Sequence, residues 1–366
     1  APSQSETVDY YYHGPLPQYP LPKQRPIDMD QTREDLEQLV ARHPRIYAIL
    51  WATDESDPEG FIEGWLDQHT FKAMDSWFGN VRLVVYAAPR AAANEARGAH
   101  PLDYMLGNDI RLQGYTLLTP EPHSGEIVQL TLFWEALGPI HARYKVFTHI
   151  LDERGYIVGQ RDSEPGGGSR PTTGWQPGEV IPDNYGVPIQ PGTPPGTYTL
   201  RIGLYSLADG QRLPVALKDK AVGDAIDLSD FVIQPAQAPP PIAALDIDQP
   251  DDVSWGALQL IGHSLCRLGF EHQPDAPLRP GDVAKLALFW RRRDGGAAQE
   301  GFIVALADRS GQHVWEQLLR VNGGSIPLAA WREGEIMRNL YHLALPQTLP
   351  PGSYRLMLRP DGWGQS

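Results

Sequence analysis

The chain has 366 residues, enough for two or three domains at roughly 100–200 residues each. Its formal charge of −14 excludes the clustered Lys and Arg that track a phosphate backbone, so no nucleic-acid partner is expected. A single cysteine, Cys266, excludes an intrachain disulfide framework and a zinc site built from several thiolates.

Gly and Pro make up about 19% of positions beside 41% hydrophobic residues, which pairs many turns with enough apolar surface for cores. The longest apolar runs include Ile46–Ala52 and Leu83–Ala88, far short of the ~20 residues of a spanning helix, so the chain is expected to be soluble. Ala1-Pro2-Ser3-Gln4 has neither the charged start nor the apolar stretch of a signal peptide.

The first segment, 1–89, reads as a small α/β layer. Thr7–Tyr12 suggests a strand, and Pro15–Pro26 is too proline-rich for a helix. Thr32 and Asp35 form a capping pattern that predicts a helix with Leu36, Leu39 and Val40 on one face. His43-Pro44 closes it. Ile46–Trp51 predicts a fully buried strand. Asp57-Pro58-Glu59 predicts the start of a second helix, with Phe61, Ile62, Trp65 and Leu66 as its buried stripe. Val81–Ala87 predicts another strand, and the alternation implies a partly parallel sheet. The Ala-rich stretch from Pro89 to His100 reads as a linker.

The segments 104–235 and 242–366 are separated by the stiff Pro239-Pro240-Pro241 and repeat each other. Gly125-Glu-Ile-Val-Gln-Leu-Thr-Leu-Phe-Trp134 matches Gly281-Asp-Val-Ala-Lys-Leu-Ala-Leu-Phe-Trp290 at an offset of 156. Asp152, Gly155, Trp175, Gly178 and Pro195-Gly196-Thr197-Tyr198 recur at the same offset. Near the start the offset is 148, where Gly114 matches Gly262. Val128, Leu130, Leu132 and Trp134 fall on one face of a strand, matched by Ala284, Leu286, Leu288 and Trp290. Two tandem antiparallel β-sandwiches, jelly-roll-like or immunoglobulin-like, are therefore expected after the α/β domain. The last strand of the first copy, Asp227–Ile233, has its counterpart beyond Ser366, so the second copy lacks that strand, borrows it or was cut.

Duplication supplies a control on candidate chemistry, because a feature in both copies serves the fold. Gly166-Gly167-Gly168-Ser169 resembles a phosphate cradle, but it aligns with Asn322-Gly323-Gly324-Ser325 and no helix start follows. Gly262-His263-Ser264-Leu265-Cys266 hints at a nucleophile elbow, yet its counterpart is Gly114-Tyr115-Thr116, a strand. The histidines show no metal-ligand spacing, and no metal or cofactor motif is found. Asp54, Glu55, Asp57 and Glu59 follow a strand end, where capping competes with catalysis. Asp152, Asp162 and Glu164 are oxygen donors suited to calcium at a sheet edge.

Aromatic rings carry the binding expectation, since sugar C–H faces stack on Trp and Tyr. Trp134 and Trp290 sit mid-strand as core. Trp175 with Tyr185, and Trp331 with Tyr341, are either corner plugs or a glycan platform. Trp315 and Trp363 occur in the second copy alone. The candidate glycan-binding residues are Trp175, Tyr185, Trp331, Tyr341 and Trp315.

Asp9-Tyr-Tyr-Tyr-His-Gly-Pro-Leu-Pro-Gln-Tyr19, Arg45-Ile-Tyr-Ala-Ile-Leu-Trp51, Phe61-Ile-Glu-Gly-Trp-Leu66 and Trp77-Phe-Gly-Asn-Val-Arg-Leu83 together have a further meaning. With Trp175–Glu179 and Leu204-Tyr205…Arg212-Leu213-Pro214-Val215, they resemble the soluble tails of bacterial membrane glycosyltransferases of family 39, relatives of protein mannosyltransferases. In that family many membrane helices precede the tail and transfer sugar from a polyprenyl-phosphate donor, with the catalytic acids in an early loop. Nothing in this chain matches that loop, so no catalytic residue carries over.

The resemblance implies an extracytoplasmic, non-catalytic, membrane-tethered region. Its partners would be a glycan or glycosylated acceptor and the membrane-embedded part of the same protein. The alternative is a free-standing cell-envelope protein that binds carbohydrate or a protein partner through its sandwiches. A hydrolase using Asp54 and Asp57 is a third expectation.

Overall fold

The computed structural model describes residues 5–89, 100–271, 273, 275–294, 300–324 and 326–362. The expected linker lies almost wholly outside them, as does Trp363. At 47% strand and 14% helix the chain is mostly β, built from several antiparallel sheets. It divides into two compact units. One holds the N-terminal segment and most of the first repeat to Val232; the other holds the second repeat and short pieces around 123–125 and 190–196.

The N-terminal layer contains helices α1 (Ser5–Tyr11), α2 (Met29–Arg42), α3 (Thr53–Ser56) and α4 (Phe61–His69). Its strands are β1 (Arg45–Leu50), β2 (Phe71–Phe78) and β3 (Val81–Ala87). The expected strand at Thr7–Tyr12 is instead helix α1. It joins no sheet, and a helix satisfies its backbone groups internally. Helix α2 starts before Thr32, because the Asp28 side chain accepts from Gln31 N (3.0 Å) and caps it first. Helix α4 begins later than expected, with Gly60 rather than Asp57 at its N-cap and Pro58 outside it, but the Asp57 carboxylate still accepts from Phe61 N and Ile62 N at 2.8 Å each.

The sheet order is β1-β3-β2, antiparallel throughout. The expectation of parallel pairing failed because β2 was missed in the sequence. It follows α4 and turns back through Gly79-Asn80 into β3, and so short a turn makes the pair antiparallel. Strand β1 is consequently an edge strand and is not fully buried. Ile46 faces the cluster of Leu36, Trp65, Leu66, Val84 and Tyr86, while Tyr47 and Ile49 on the other face are about half exposed.

The first repeat contains β4 (His100–Leu106), β5 (Ile110–Leu117), β6 (Ile127–Ala136), β7 (Tyr144–Leu151), β8 (Ile157–Ser163) and β9 (Val180–Pro188). It continues with β10 (Gly196–Ser206), β11 (Val215–Leu217), β12 (Lys220–Gly223) and β13 (Ile226–Ile233). These form sheets of order β12-β11-β4-β5-β6-β9 and β13-β10-β7-β8.

The second repeat contains β14 (Gln249–Trp255), β15 (Leu258–Arg267), β16 (Val283–Arg292), β17 (Gly301–Ala307), β18 (His313–Arg320), β19 (Ile336–Ala344) and β20 (Arg355–Pro360). Its sheets are β14-β15-β16-β19 and β18-β17-β20. Strands β6 and β16, and β9 and β19, begin and end 156 residues apart. The alternation read from sequence sets the burial. Val128, Leu130, Leu132 and Trp134 are fully buried, and Ala284, Leu286, Leu288 and Trp290 share one core with Phe302 and Val304 of the facing sheet.

Within the first unit, the N-terminal sheet lies on β9 and β6. Phe71, Ala73, Val85 and Ala87 pack with Ile127. Gly186 permits this contact, because a Cβ there would stand 2.8 Å from the Phe71 carbonyl oxygen. Gln129, an outward residue of β6, is buried by the same layer and donates to the Ala88 carbonyl at 2.8 Å.

Candidate functional site

Four of the five aromatic candidates are core residues. Trp175 is 3% exposed and donates through its indole N–H to the Arg170 carbonyl (3.0 Å). Tyr185 is 1% exposed and its hydroxyl donates to Asp183 (2.6 Å). Trp331 belongs to the core of the second repeat, as does Tyr341, which donates to the Arg320 carbonyl (3.0 Å). A ring covered on both faces offers no surface for stacking on a sugar, so these four plug the fold. Trp315 alone is half-buried, lining a cleft of about 330 Å³ with Leu265, Leu306, Leu343, Tyr354 and Leu356.

Other sequence candidates also have structural duties. Asp183, wholly buried, accepts from Trp134 Nε1 (3.1 Å), Gly166 N (2.8 Å) and the Tyr185 hydroxyl, so the glycine run closes on a core carboxylate. Burial still pushes that carboxyl up to about 6, against the pull of its donors. Asp152 accepts from Arg154 N and Tyr156 N inside its hairpin, Asp162 meets His149, and Glu164 pairs with Arg143. Ser264 donates to the Asp246 carbonyl on strand β15. Cys266, expected in the core, is half-buried. Its thiol is raised chiefly by burial, the opposite of an activated nucleophile.

Beneath the N-terminal layer lies a buried ionic group. Lys72 Nζ reaches Asp67 (2.7 Å), Glu63 (2.9 Å) and the Gly167 carbonyl (3.3 Å), with Lys72 only 2% exposed. Tyr86 donates to Asp67 at 2.9 Å. Burial outweighs the Lys72 charge and holds the Asp67 carboxyl above its ordinary range. The group bolts α4 and β2 to the Gly166–Gly168 turn of the first repeat.

A cleft of about 1270 Å³ runs along the outer edge of β1. Its lining includes Tyr12, Tyr19 and Leu21 of the N-terminal segment, Tyr47, Ile49 and Trp51 in or just after β1, Leu83 of β3, and Asp54. Tyr19 is fixed by a hydrogen bond between its hydroxyl and His43 Nε2 (2.6 Å). Tyr12, Tyr19 and Tyr47 are 36%, 46% and 48% exposed.

The backbone adds directionality. Ala88 N donates to the Pro44 carbonyl at 3.0 Å, and the register then turns residues 46, 48 and 50 toward β3. The N–H and C=O groups of Tyr47 and Ile49 therefore face the cleft, with no backbone partner among the described residues. Ring faces, an apolar floor, outward amides and the Asp54 carboxylate suit a ligand with C–H faces and hydroxyl or amide groups. In the sequence these residues carry only the family resemblance; the edge position of β1 brings them to one cleft.

No protein-family model and no curated protein sequence matches the chain. Among the described residues no helix is long and apolar enough to cross a membrane.

Proposed function

We propose that this chain is the non-catalytic, extracytoplasmic binding region of a membrane glycosyltransferase that uses a polyprenyl-phosphate-linked sugar. It holds a glycan or glycosylated acceptor in the cleft beside β1. The two repeats are sandwich modules. The observation that carries the reading is the cleft of about 1270 Å³ with three half-exposed tyrosines, the outer edge of β1 and the Asp54 carboxylate in its lining. The resemblance of the tyrosine-rich N-terminus to family-39 tails supplies the membrane context, and some of the residues that carry it, Tyr12, Tyr19 and Tyr47 among them, line this cleft.

Calorimetric titration with a panel of soluble glycans and glycopeptides tests the binding. Saturable binding is expected, weakened about tenfold or more in Tyr47→Ala and unchanged in Trp175→Phe. Loss of one sugar-stacking ring is worth roughly 1–2 kcal/mol. No binding by any glycan, or equal binding by Tyr47→Ala, contradicts the reading. The coding sequence upstream of Ala1 tests the context: several apolar spans of about 20 residues in frame are expected. A signal peptide alone there leaves a free-standing envelope protein.

A further inference from the structure

Strand β2 changes character along its length. At its root Phe71, Lys72 and Ala73 are all buried, so both faces of the sheet are covered there. At its tip Trp77 and Phe78 are 67% and 64% exposed. Successive strand residues point to opposite faces, so exposure of both rings means that the hairpin projects beyond the packed body on both sides. Gly79, at φ +63°, turns the chain back into β3, and Phe78 stands opposite Val81. Every other Trp and Phe among the described residues is buried or half-buried.

The tip carries no free charge. Nothing between Ser76 and Val81 ionises. The flanking Asp75 and Arg82 are joined by two hydrogen bonds, from Arg82 Nε (2.7 Å) and from a terminal guanidinium nitrogen (2.5 Å). Arg82 also reaches Glu63 (2.9 Å), and its guanidinium lies 5.8 Å from the centre of the Trp77 ring. The base of the tip is thus fixed by ion pairs, and its end is an uncharged pair of large rings.

We propose that this hairpin tip inserts Trp77 and Phe78 into the interfacial region of a lipid bilayer. The shape selects the occupant. A rigid partner surface covers one face of a hairpin, whereas rings on opposite faces are both buried only by a medium that closes around the tip. The headgroup region does this, and it takes aromatic bodies while the indole N–H and the turn's backbone groups stay hydrated. The formal charge of −14 selects the lipid: an anionic surface repels the chain, so zwitterionic headgroups suit it. Two rings make a weak, reversible contact. The inference stands on the hairpin alone and is independent of what fills the cleft beside β1.

Flotation of the full chain with phosphatidylcholine vesicles tests it. Binding is expected, weakened about tenfold or more in Trp77→Ser and in Phe78→Ser, and kept within about threefold in Trp77→Phe. Brominated acyl chains should quench the tryptophan fluorescence of the unaltered chain, and Trp77→Phe should remove that quenching. Anionic phosphatidylglycerol in the vesicles should weaken binding at low salt, with recovery as salt is added. No binding, equal binding by the two Ser variants, or binding strengthened by anionic lipid overturns the proposal. A concentration-dependent dimer that both Ser variants abolish also overturns it, by seating the tip on a second copy. Glycan titration is unaffected by any of these outcomes, so this proposal and the cleft reading fail separately.

Discussion

The two repeats share a strand plan but differ at one edge and in what meets the outer face of the longer sheet. The first carries β13 beside β10 and the N-terminal sheet against β9 and β6; in the second no described strand lies beside β20, and the outward Ala287, Phe289, Ile336 and Leu340 are buried, with Arg338 N donating to the Gly192 carbonyl (2.7 Å). Single residues account for much of this. Gly186 lets β2 approach β9, and His342 stands at the matching place of β19. Gln129, buried under the layer, corresponds to Lys285, which pairs with Glu271 at the surface. Asp183 corresponds to Asn339, which accepts from Asn322 N (3.0 Å) and needs no charge.

Four changes should break or sharpen this contrast. Lys72→Met strands Asp67 beneath the layer, and chemical denaturation should show a loss of about 3–5 kcal/mol; Asp67→Asn in the same chain should restore part of it. Phe231→Ala should loosen β13 and cost about 3–4 kcal/mol in the same assay, bringing the first repeat toward the second. Asp183 governs a pH effect of roughly 3 kcal/mol at most. Its folded value near 6 lies above the ordinary 3.8, so the folded state holds the proton more tightly. Its contribution is therefore full below about pH 4 and lost as pH rises through 6. Asp183→Asn, which copies the second repeat, should flatten stability across that window in denaturation curves taken at pH 4, 5, 6 and 7. Tyr47→Ala should move stability by only about 0.5 kcal/mol, because its ring is half exposed, so any change in ligand titration reports the cleft itself.

Periodicity and duplication made the repeats legible. The inward rows ending at Trp134 and Trp290 were readable because a strand's side chains alternate and both copies agree. The N-terminal layer was less legible. Phe71–Phe78 mixes Lys72, Asp75 and Ser76 with aromatics, and its Lys72 is buried by ion pairing rather than by apolar character. Missing that strand turned an antiparallel sheet into an expected parallel one. The aromatic candidates misled for a related reason: loop-like sequence around Trp175 and Trp331 suggests exposure, but 3₁₀ turns at 172–174 and 328–330 fold those rings inward. The tyrosines of the cleft gave no periodic signal at all, since they come from the residue after α1, an irregular segment and an edge strand.

Residue-resolved amide exchange on the intact chain, without added ligand, tests most directly the claim that β10 is paired on both sides while β20 is paired with β17 alone among the described residues. Asp361 N donates to the Gly301 carbonyl (2.9 Å), and this phase of the ladder points the N–H groups of Leu356 and Leu358 away from β17. Leu200 and Ile202 should exchange at least about 100-fold more slowly than Leu356 and Leu358. Equal protection at the four amides would contradict it, because the edge of β20 would then already be paired.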